Sequence, residues 1–497
     1  MAAPETTAVA DGPPDSRADA GSRLGDGVTA PSRSIAPLLL RLHFYAGILI
    51  APFLVVAAVT GLAFTLTPTL DRLVYADEFF TDGSGQRRPL AEQVAAASAA
   101  RPDGTVAAVI LPDGNDANTR VVFNVEGLGE NQITVYVDPY TARVTGSLET
   151  WFGETPLQTW FDDLHRNLHL GDVGRHYSEL AASWLWVVAL GGLVLWLRRQ
   201  RGRRKKVRGT LLPDLAARKG VRRTRGWHAA TGVWLTVGLL ILAATGLTWS
   251  RYAGGNFGAV LDHFDKGRPA VSTDATAAGG GGHHDAAGGA ATEVDLSVLD
   301  TVVGTARAAG LDGHIEISVP AAPGGAWTVI QDDMLWPVHY DSVAVDAGGT
   351  TVTDRVNYSE WPVLAKLSKL GVLAHMGLLF GIANQIVLAA FAIGLLCVIF
   401  WGYRMWWQRR PTRADRARPF GVAPARAAWQ QLPSWAIVVG VPAVLAIGYA
   451  MPVLGVSLVV FLAIDLAVGT ARKRRVGRIA PVSPAVDSHA YTRAPST

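Results

Sequence analysis

Residues 44–70 carry no charged side chain, and a helix of that length exceeds the roughly 20 residues needed to cross a hydrocarbon core. Further uncharged runs occupy residues 180–197, 229–250 and 370–401. A last run, 427–464, is 38 residues long, close to two crossings at about 1.5 Å per residue. Met451-Pro452 offers a turn near its middle. Lipid offers no partner to an exposed backbone amide, so runs like these are read as helices, six spans in all. Charged residues make up only 17% of the chain, against roughly 25% in soluble domains. The single cysteine, Cys397, excludes an intrachain disulfide and any cysteine-based zinc or iron–sulfur site, which leaves histidine as the ligand type for redox chemistry.

Charge orients the spans, because Lys and Arg collect on the cytoplasmic side. Residues 198–225 hold 13 Lys and Arg against one acid, Asp214. Residues 404–418 and 472–478 are also basic, whereas 71–154 holds 13 acids to 6 bases and 251–369 holds 15 to 7. Both termini are expected in the cytoplasm of a multi-pass inner-membrane protein. The basic stretches follow from this topology and call for no nucleic acid. Residues 1–34 lack the layout of a cleaved signal and read as a disordered cytoplasmic segment, with span one an uncleaved anchor.

The chain repeats itself. Arg-Leu-His43 is followed by Gly47 and by Thr60-Gly61-Leu62; Gly-Trp-His228 is followed by Gly232 and by Thr245-Gly246-Leu247. In both copies Gly lies at plus four and Thr at plus seventeen. A second register starts at His165 and His375, each with Gly at plus six (Gly171, Gly381), Gly at plus twenty-seven (Gly192, Gly402) and Trp at plus thirty-one (Trp196, Trp406).

The segments between the spans also match. Residues 90–100 have helical composition, and 106–111, 120–125 and 132–137 alternate like strands, ending in Val137-Asp138-Pro139-Tyr140-Thr141 and Val144-Thr145-Gly146. The second copy runs from a helix over 296–309 through strands at 315–319, 327–331 and 342–345 to Asp346 and Val352. The expected architecture is an α-helical integral membrane protein with a four-helix core from a duplicated span, small α+β domain, span unit, plus a C-terminal two-span hairpin. The expected boundaries are span 1 over 36–70, outer domain 1 over 71–162, an interfacial segment and span 2 over 163–198, and a basic loop over 199–225. Span 3 then covers 226–250, outer domain 2 covers 251–362 with a Gly-rich linker at 277–291, and span 4 covers 363–407. A loop over 408–432, spans 5 and 6 over 433–470 and a tail over 471–497 complete the chain.

The ending Val-Tyr-Val-Asp-Pro-Tyr-Thr with Val-Thr-Gly resembles a PepSY domain. Leu164-His165-Arg166-Asn167-Leu168 with Leu170-Gly171-Asp172 and Gly174-Arg175 resembles the PepSY-associated transmembrane helix family, over about residues 36–408. That resemblance implies an iron-regulated membrane protein and, as in some members, an inner-membrane ferric-siderophore reductase carrying haem b on span histidines. It thus implies electron transfer across the bilayer to a periplasmic ferric chelate.

Ionisable side chains in spans usually face a bundle interior or a cavity. The topology puts His43 with His228 near the cytoplasmic face and His165 with His375 near the periplasmic face, with His169 a rival one helical turn from His165. Each pair can offer two imidazoles to one iron, so two haem b groups per chain are expected. Gly47, Gly232, Gly171 and Gly381 would let backbone approach a ring face. Arg41 and Arg225 are candidates for the propionates or, equally, positive-inside anchors. His375 to Trp406 spans about 46 Å as one helix, so either the helices bend near Gly171 and Gly381 or a carrier such as a buried Trp connects the haems.

Other signals are weaker. His283-His284 reads as part of a solvated spacer, Asp162 and Asp163 as solvated acids or tuners of the outer site, and Trp151, Trp160, Trp327, Trp336 and Trp361 mostly as interfacial tryptophans. No dinucleotide fingerprint, phosphate loop or nucleophile elbow is present, so electrons would come from a quinol or a redox protein. The competing reading is a non-enzymatic PepSY scaffold, or an accessory subunit of metal uptake, that binds a periplasmic partner.

Overall fold

The computed structural model describes residues 35–112, 114–201, 211–213, 219–264, 266–273, 294–333, 338–409 and 432–479. The expected disordered segment 1–34, the Gly-rich linker 277–291 with His283 and His284, and Trp336 lie outside the described residues, as do parts of the expected loops at 199–225 and 408–432 and of the tail.

Span one is two helices, α1 (Ala36–Leu49) and α2 (Ala51–Phe64), bent by 56°. Pro52 in the first turn of α2 has no N–H to give to the carbonyl of Ile48, the usual cause of such a bend. The Tyr403 hydroxyl donates to that carbonyl instead, at 3.0 Å. Two short helices, α3 (Thr67–Val74) and α4 (Ala76–Phe79), then lead out to α5 (Leu90–Ala100) and strands β1 (Gly104–Ile110), β2 (Thr119–Val125), β3 (Asn131–Val137) and β4 (Val144–Trp151). The chain returns through α6 (Pro156–Asn167) and α7 (Gly171–Arg201).

The second copy repeats this order. It comprises α8 (Val221–Thr248), α9 (Ala253–His263), α10 (Leu299–Ala308), strands β5 (Ile315–Ser318), β6 (Trp327–Gln331), β7 (Ser342–Val345) and β8 (Val352–Val356), then α11 (Val363–Met376) and α12 (Ile382–Gln408). The hairpin comprises α13 (Ser434–Val438), α14 (Gly440–Ala450) and α15 (Pro452–Ile479), turning at Met451 as the sequence predicts.

Among the described residues α7, α8, α12 and the Pro452–Ala471 part of α15 are long and apolar enough to cross a membrane, and the bent pair α1–α2 makes a fifth candidate. The protein is a multi-pass membrane protein, and the lipid bilayer is its partner. The first arm of the hairpin, Ser434–Ala450, is a shorter apolar stretch interrupted at Val439, where Gly440 and Pro442 weaken the helix. Span four also differs from a continuous helix. It breaks between α11 and α12, where Gly377, Phe380 and Gly381 have φ of 80°, 63° and 60°. The matching break between α6 and α7 has Leu168, His169 and Gly171 each at 55°. The bends expected near Gly171 and Gly381 are thus present.

In the bundle α7 and α12 both pack on α8, and α2 rests on α7 and α12. Close approach comes from paired small and large residues in mid-span. A Cβ at Gly238 of α8 would lie 2.0 Å from Phe391 of α12, and one at Gly394 of α12 would lie 2.8 Å from Leu235 of α8.

The two outer domains are not separate. Their strands form one antiparallel sheet in the order β4-β3-β2-β1-β5-β6-β7-β8. Each half alone would expose the edge of β1 or β5, and pairing Val109 with Ile317 and Ile110 with Glu316 removes both edges. Helices α5 and α10 cover one face over a shared core that includes Val94, Val109, Phe123, Val302, Ile317 and Trp327. Asp300 of α10 accepts the Leu90 and Ala91 amides that open α5, at 2.8 and 3.1 Å, so the second copy caps a helix of the first.

The Tyr403 contact gives a testable consequence. Tyr403→Phe leaves the Ile48 carbonyl without its hydroxyl donor and should cost about 1–3 kcal/mol. Adding Pro52→Ala restores a backbone donor, so thermal unfolding in detergent should show the double variant losing less than the sum of the single losses.

Candidate functional site

His43 on α1 and His228 on α8 face each other at the end of the bundle remote from the sheet, with ring centroids 6.3 Å apart and planes at 74°. His165 on α6 and His375 on α11 form the second pair at the sheet end, with centroids 6.4 Å apart at 44°. The histidines that the repeat puts in register are therefore the ones the fold brings together. His169 is not among them. It sits exposed in the turn after α6, its ring 5.0 Å from Trp160.

All four rings are held through the same nitrogen. The Nδ1 of His43 lies 3.1 Å from the Val188 carbonyl of α7, and that of His228 lies 2.9 Å from the Val398 carbonyl of α12. A carbonyl only accepts, so Nδ1 is the donor. In the second pair Nδ1 meets a threonine hydroxyl, Thr60 at 2.9 Å for His165 and Thr245 at 2.8 Å for His375. Each hydroxyl already gives its proton to its own helix, Thr60 to Val56 at 2.8 Å and Thr245 to Ile241 at 2.9 Å, and so accepts from the ring. A neutral imidazole that donates from Nδ1 carries its lone pair on Nε2. Within each pair both rings are therefore ready to act as ligands through Nε2.

Glycines make the seats. A Cβ at Gly192 would lie 3.1 Å from His43, one at Gly402 3.7 Å from His228, one at Gly61 3.0 Å from His165 and one at Gly246 3.3 Å from His375. Gly192 and Gly402 lie one turn beyond Val188 and Val398, where a missing side chain bares the accepting carbonyl. The four glycines named from the sequence are not these seats. A Cβ at Gly47, Gly232, Gly171 or Gly381 would meet nothing within 4 Å. Gly171 and Gly381 serve the left-handed turns of the helix breaks. The seats fall at the Thr-Gly-Leu and plus-twenty-seven positions of the two registers, and only pairing each register with the other reveals their role.

The remaining candidates are placed as follows. Arg41 is 7% exposed, ion-paired with Asp465 of α15, and stacked over Tyr45 at 5.0 Å. Arg225 lies half-buried in the first turns of α8. Asp162 and Asp163 are not simply solvated, because both pair with Arg166, at 3.2 and 3.1 Å, and Arg166 covers Trp151 at 4.7 Å. Trp327 and Trp361 are buried in the outer domains rather than forming an interfacial belt, and Trp160 is exposed. Among the described residues no three His, Cys, Asp or Glu converge on a point where they could hold a metal ion. Each pair brings two imidazoles together.

The family model for the PepSY-associated TM region matches residues 40–409. The chain belongs to that family. The match contains both histidine pairs and both halves of the sheet, and it stops short of the hairpin. No curated protein matches the chain.

At the entry to α6, burial and then the Asp162 carboxylate push the Glu154 carboxyl up to about 8. Folded Glu154 keeps its proton between its ordinary value near 4.3 and about 8, a window in which the unfolded chain has already lost it. Stability should therefore fall as pH rises through that window. Glu154→Gln should flatten the dependence and raise stability at pH 8 relative to the parent, which thermal unfolding between pH 5 and 9 would check.

Proposed function

We propose that the protein is an inner-membrane haem b oxidoreductase of the PepSY-associated family that carries electrons across the bilayer to reduce a periplasmic ferric chelate such as a siderophore. The observation that carries this reading is the geometry of the two pairs. Two imidazoles ligating one ion through nitrogens at about 2 Å have centroids roughly 6 Å apart, and the pairs measure 6.3 and 6.4 Å with Nε2 directed by the Nδ1 bonds. Two protein donors fall short of the four ligands that a structural zinc ion takes. They suit a metal that brings its equatorial ligands with it.

His43 with His228 would hold the inner haem and His165 with His375 the outer one. Haem bound there supplies one-electron transfer. The rest of the work belongs to the protein. Val188, Val398, Thr60 and Thr245 keep each ring turned and its Nε2 basic, the role outer-shell partners play at metal sites. The apolar helices exclude water, and the glycine seats let the rings lie against helix backbone. From His228 to Thr245 is 17 residues of the single helix α8, about 26 Å of rise, well below the 46 Å that a continuous fourth span would imply. Basic residues at the remote end and the acidic excess of 71–154 and 251–369 support the orientation with the sheet in the periplasm. Iron would be released there because the softer Fe(II) binds hard oxygen donors less tightly than Fe(III).

The test is an absorption spectrum of the detergent-purified protein, oxidised and then dithionite-reduced, with haem quantified per chain. Two b-type haems are expected, and His43→Ala and His375→Ala should each remove about one and leave the other. A colourless protein after expression with ample haem would overturn the reading and leave a PepSY scaffold in its place. Thr245→Val should weaken haem binding at the outer site by about 10- to 100-fold, measured by haem titration of the apoprotein, with the inner site unchanged.

A further inference from the structure

The hairpin lies outside the family match, and it is fastened to the core at specific points. Asp465 of α15 pairs with Arg41 of α1, and Trp184 Nε1 of α7 donates to Ser457 Oγ of α15 at 2.9 Å. Phe461 meets Tyr45 with ring centroids 5.7 Å apart. Gly448 and Gly455 bring the arms together at the turn, where a Cβ on Gly455 would come within 2.7 Å of the Gly448 carbonyl oxygen. Between the hairpin, α1 and α7 this arrangement encloses a cavity of about 260 Å³. His43 is on its wall, and the rest of the lining is apolar and aromatic, including Trp184, Trp186 and Leu458. The cavity reaches the lipid face, since Val444 and Ile447 both line it and are 48% and 36% exposed.

We propose that this cavity binds the ring end of an isoprenoid quinol, which donates electrons to the inner site. The proposal rests on the oxidoreductase reading above. That reading needs a reductant at the His43–His228 end, and the sequence holds no nucleotide-binding fingerprint through which a soluble dinucleotide would supply it. A donor dissolved in the bilayer needs an apolar pocket open to lipid and touching the redox site, and this cavity meets all three requirements. Its size suits one ring and the first part of a tail. Oxidising one quinol to the quinone releases two electrons and two protons. A haem held by His43 and His228 would take these electrons singly, and one held by His165 and His375 would receive them in turn. The two protons are released to water at the membrane face on the His43 side.

The experiment compares the full-length parent with Val444→Trp, which fills the cavity mouth from the hairpin side, and Val459→Trp, a control on an exposed α15 position outside the lining. Three quantities are read on purified protein: quinone extracted per chain, haem per chain, and the rate of haem reduction by decylubiquinol or menadiol against dithionite. The expected result is quinone retained by the parent and the control, with at least a tenfold loss of both quinone content and quinol-driven reduction in Val444→Trp. Haem content and dithionite reduction should be unchanged in all three. Unchanged quinol reduction in Val444→Trp overturns the proposal, as does a haem-loaded parent that neither retains quinone nor accepts electrons from either quinol. Loss of haem from Val444→Trp also overturns it, because the cavity would then belong to the haem edge. Quinone bound to a haem-free parent and lost in Val444→Trp would support the cavity as a quinone site while sinking the oxidoreductase reading.

Discussion

A polar ring set among apolar helices keeps its orientation only if its N–H has an acceptor, because lipid and packed hydrocarbon offer none. Here that demand is met four times through Nδ1, twice by a helix carbonyl and twice by a threonine hydroxyl. Much else in the bundle follows from it. A helix carbonyl already bonded along its axis accepts a second donor only where the next turn is bare, hence Gly192 and Gly402. A threonine accepts cleanly only once its own proton is committed, hence the bonds from Thr60 and Thr245 to their own helices. The helices must then cross closely enough for a ring on one to touch backbone on the next, which small residues in membrane spans permit.

The two ends of the bundle meet this demand differently because their histidines arrive differently. His43 and His228 ride on α1 and α8, which run through the bundle itself, and find their acceptors on the neighbouring spans. His165 and His375 come in on α6 and α11, short helices that lie between the sheet and the spans proper. Left-handed turns at Leu168 to Gly171 and at Gly377 to Gly381 separate these helices from α7 and α12. Those turns change the direction of the chain between the sheet-end pair and the spans. The continuous sheet above joins β1 to β5 and so couples the two copies.

Much of this was legible from spacing alone. The apolar runs marked the four core spans, the plus-seventeen and plus-twenty-seven registers marked the histidines, and the strands at 327–331 and 342–345 fall where alternation puts them. Other features were not legible, for definite reasons. The bend at Pro52 leaves composition unchanged. The choice of His165 over His169 depends on a left-handed backbone at residue 169. Arg41 reads equally as an anchor or an anion partner until Asp465, 424 residues away, is brought beside it.

Sequence by itself determined that the chain lives in a bilayer, that it is a doubled unit, and which histidines stand in register between its copies. Those properties are carried by local hydropathy and by spacing, which need no knowledge of neighbours. Only the tertiary structure decided which atoms face which. The seats of the rings, the fusion of two small domains into one sheet, and the cavity behind His43 all arise where segments distant in sequence meet. Such contacts are set by steric fit and hydrogen-bond satisfaction between helices, and a one-dimensional pattern does not encode the distance between two surfaces.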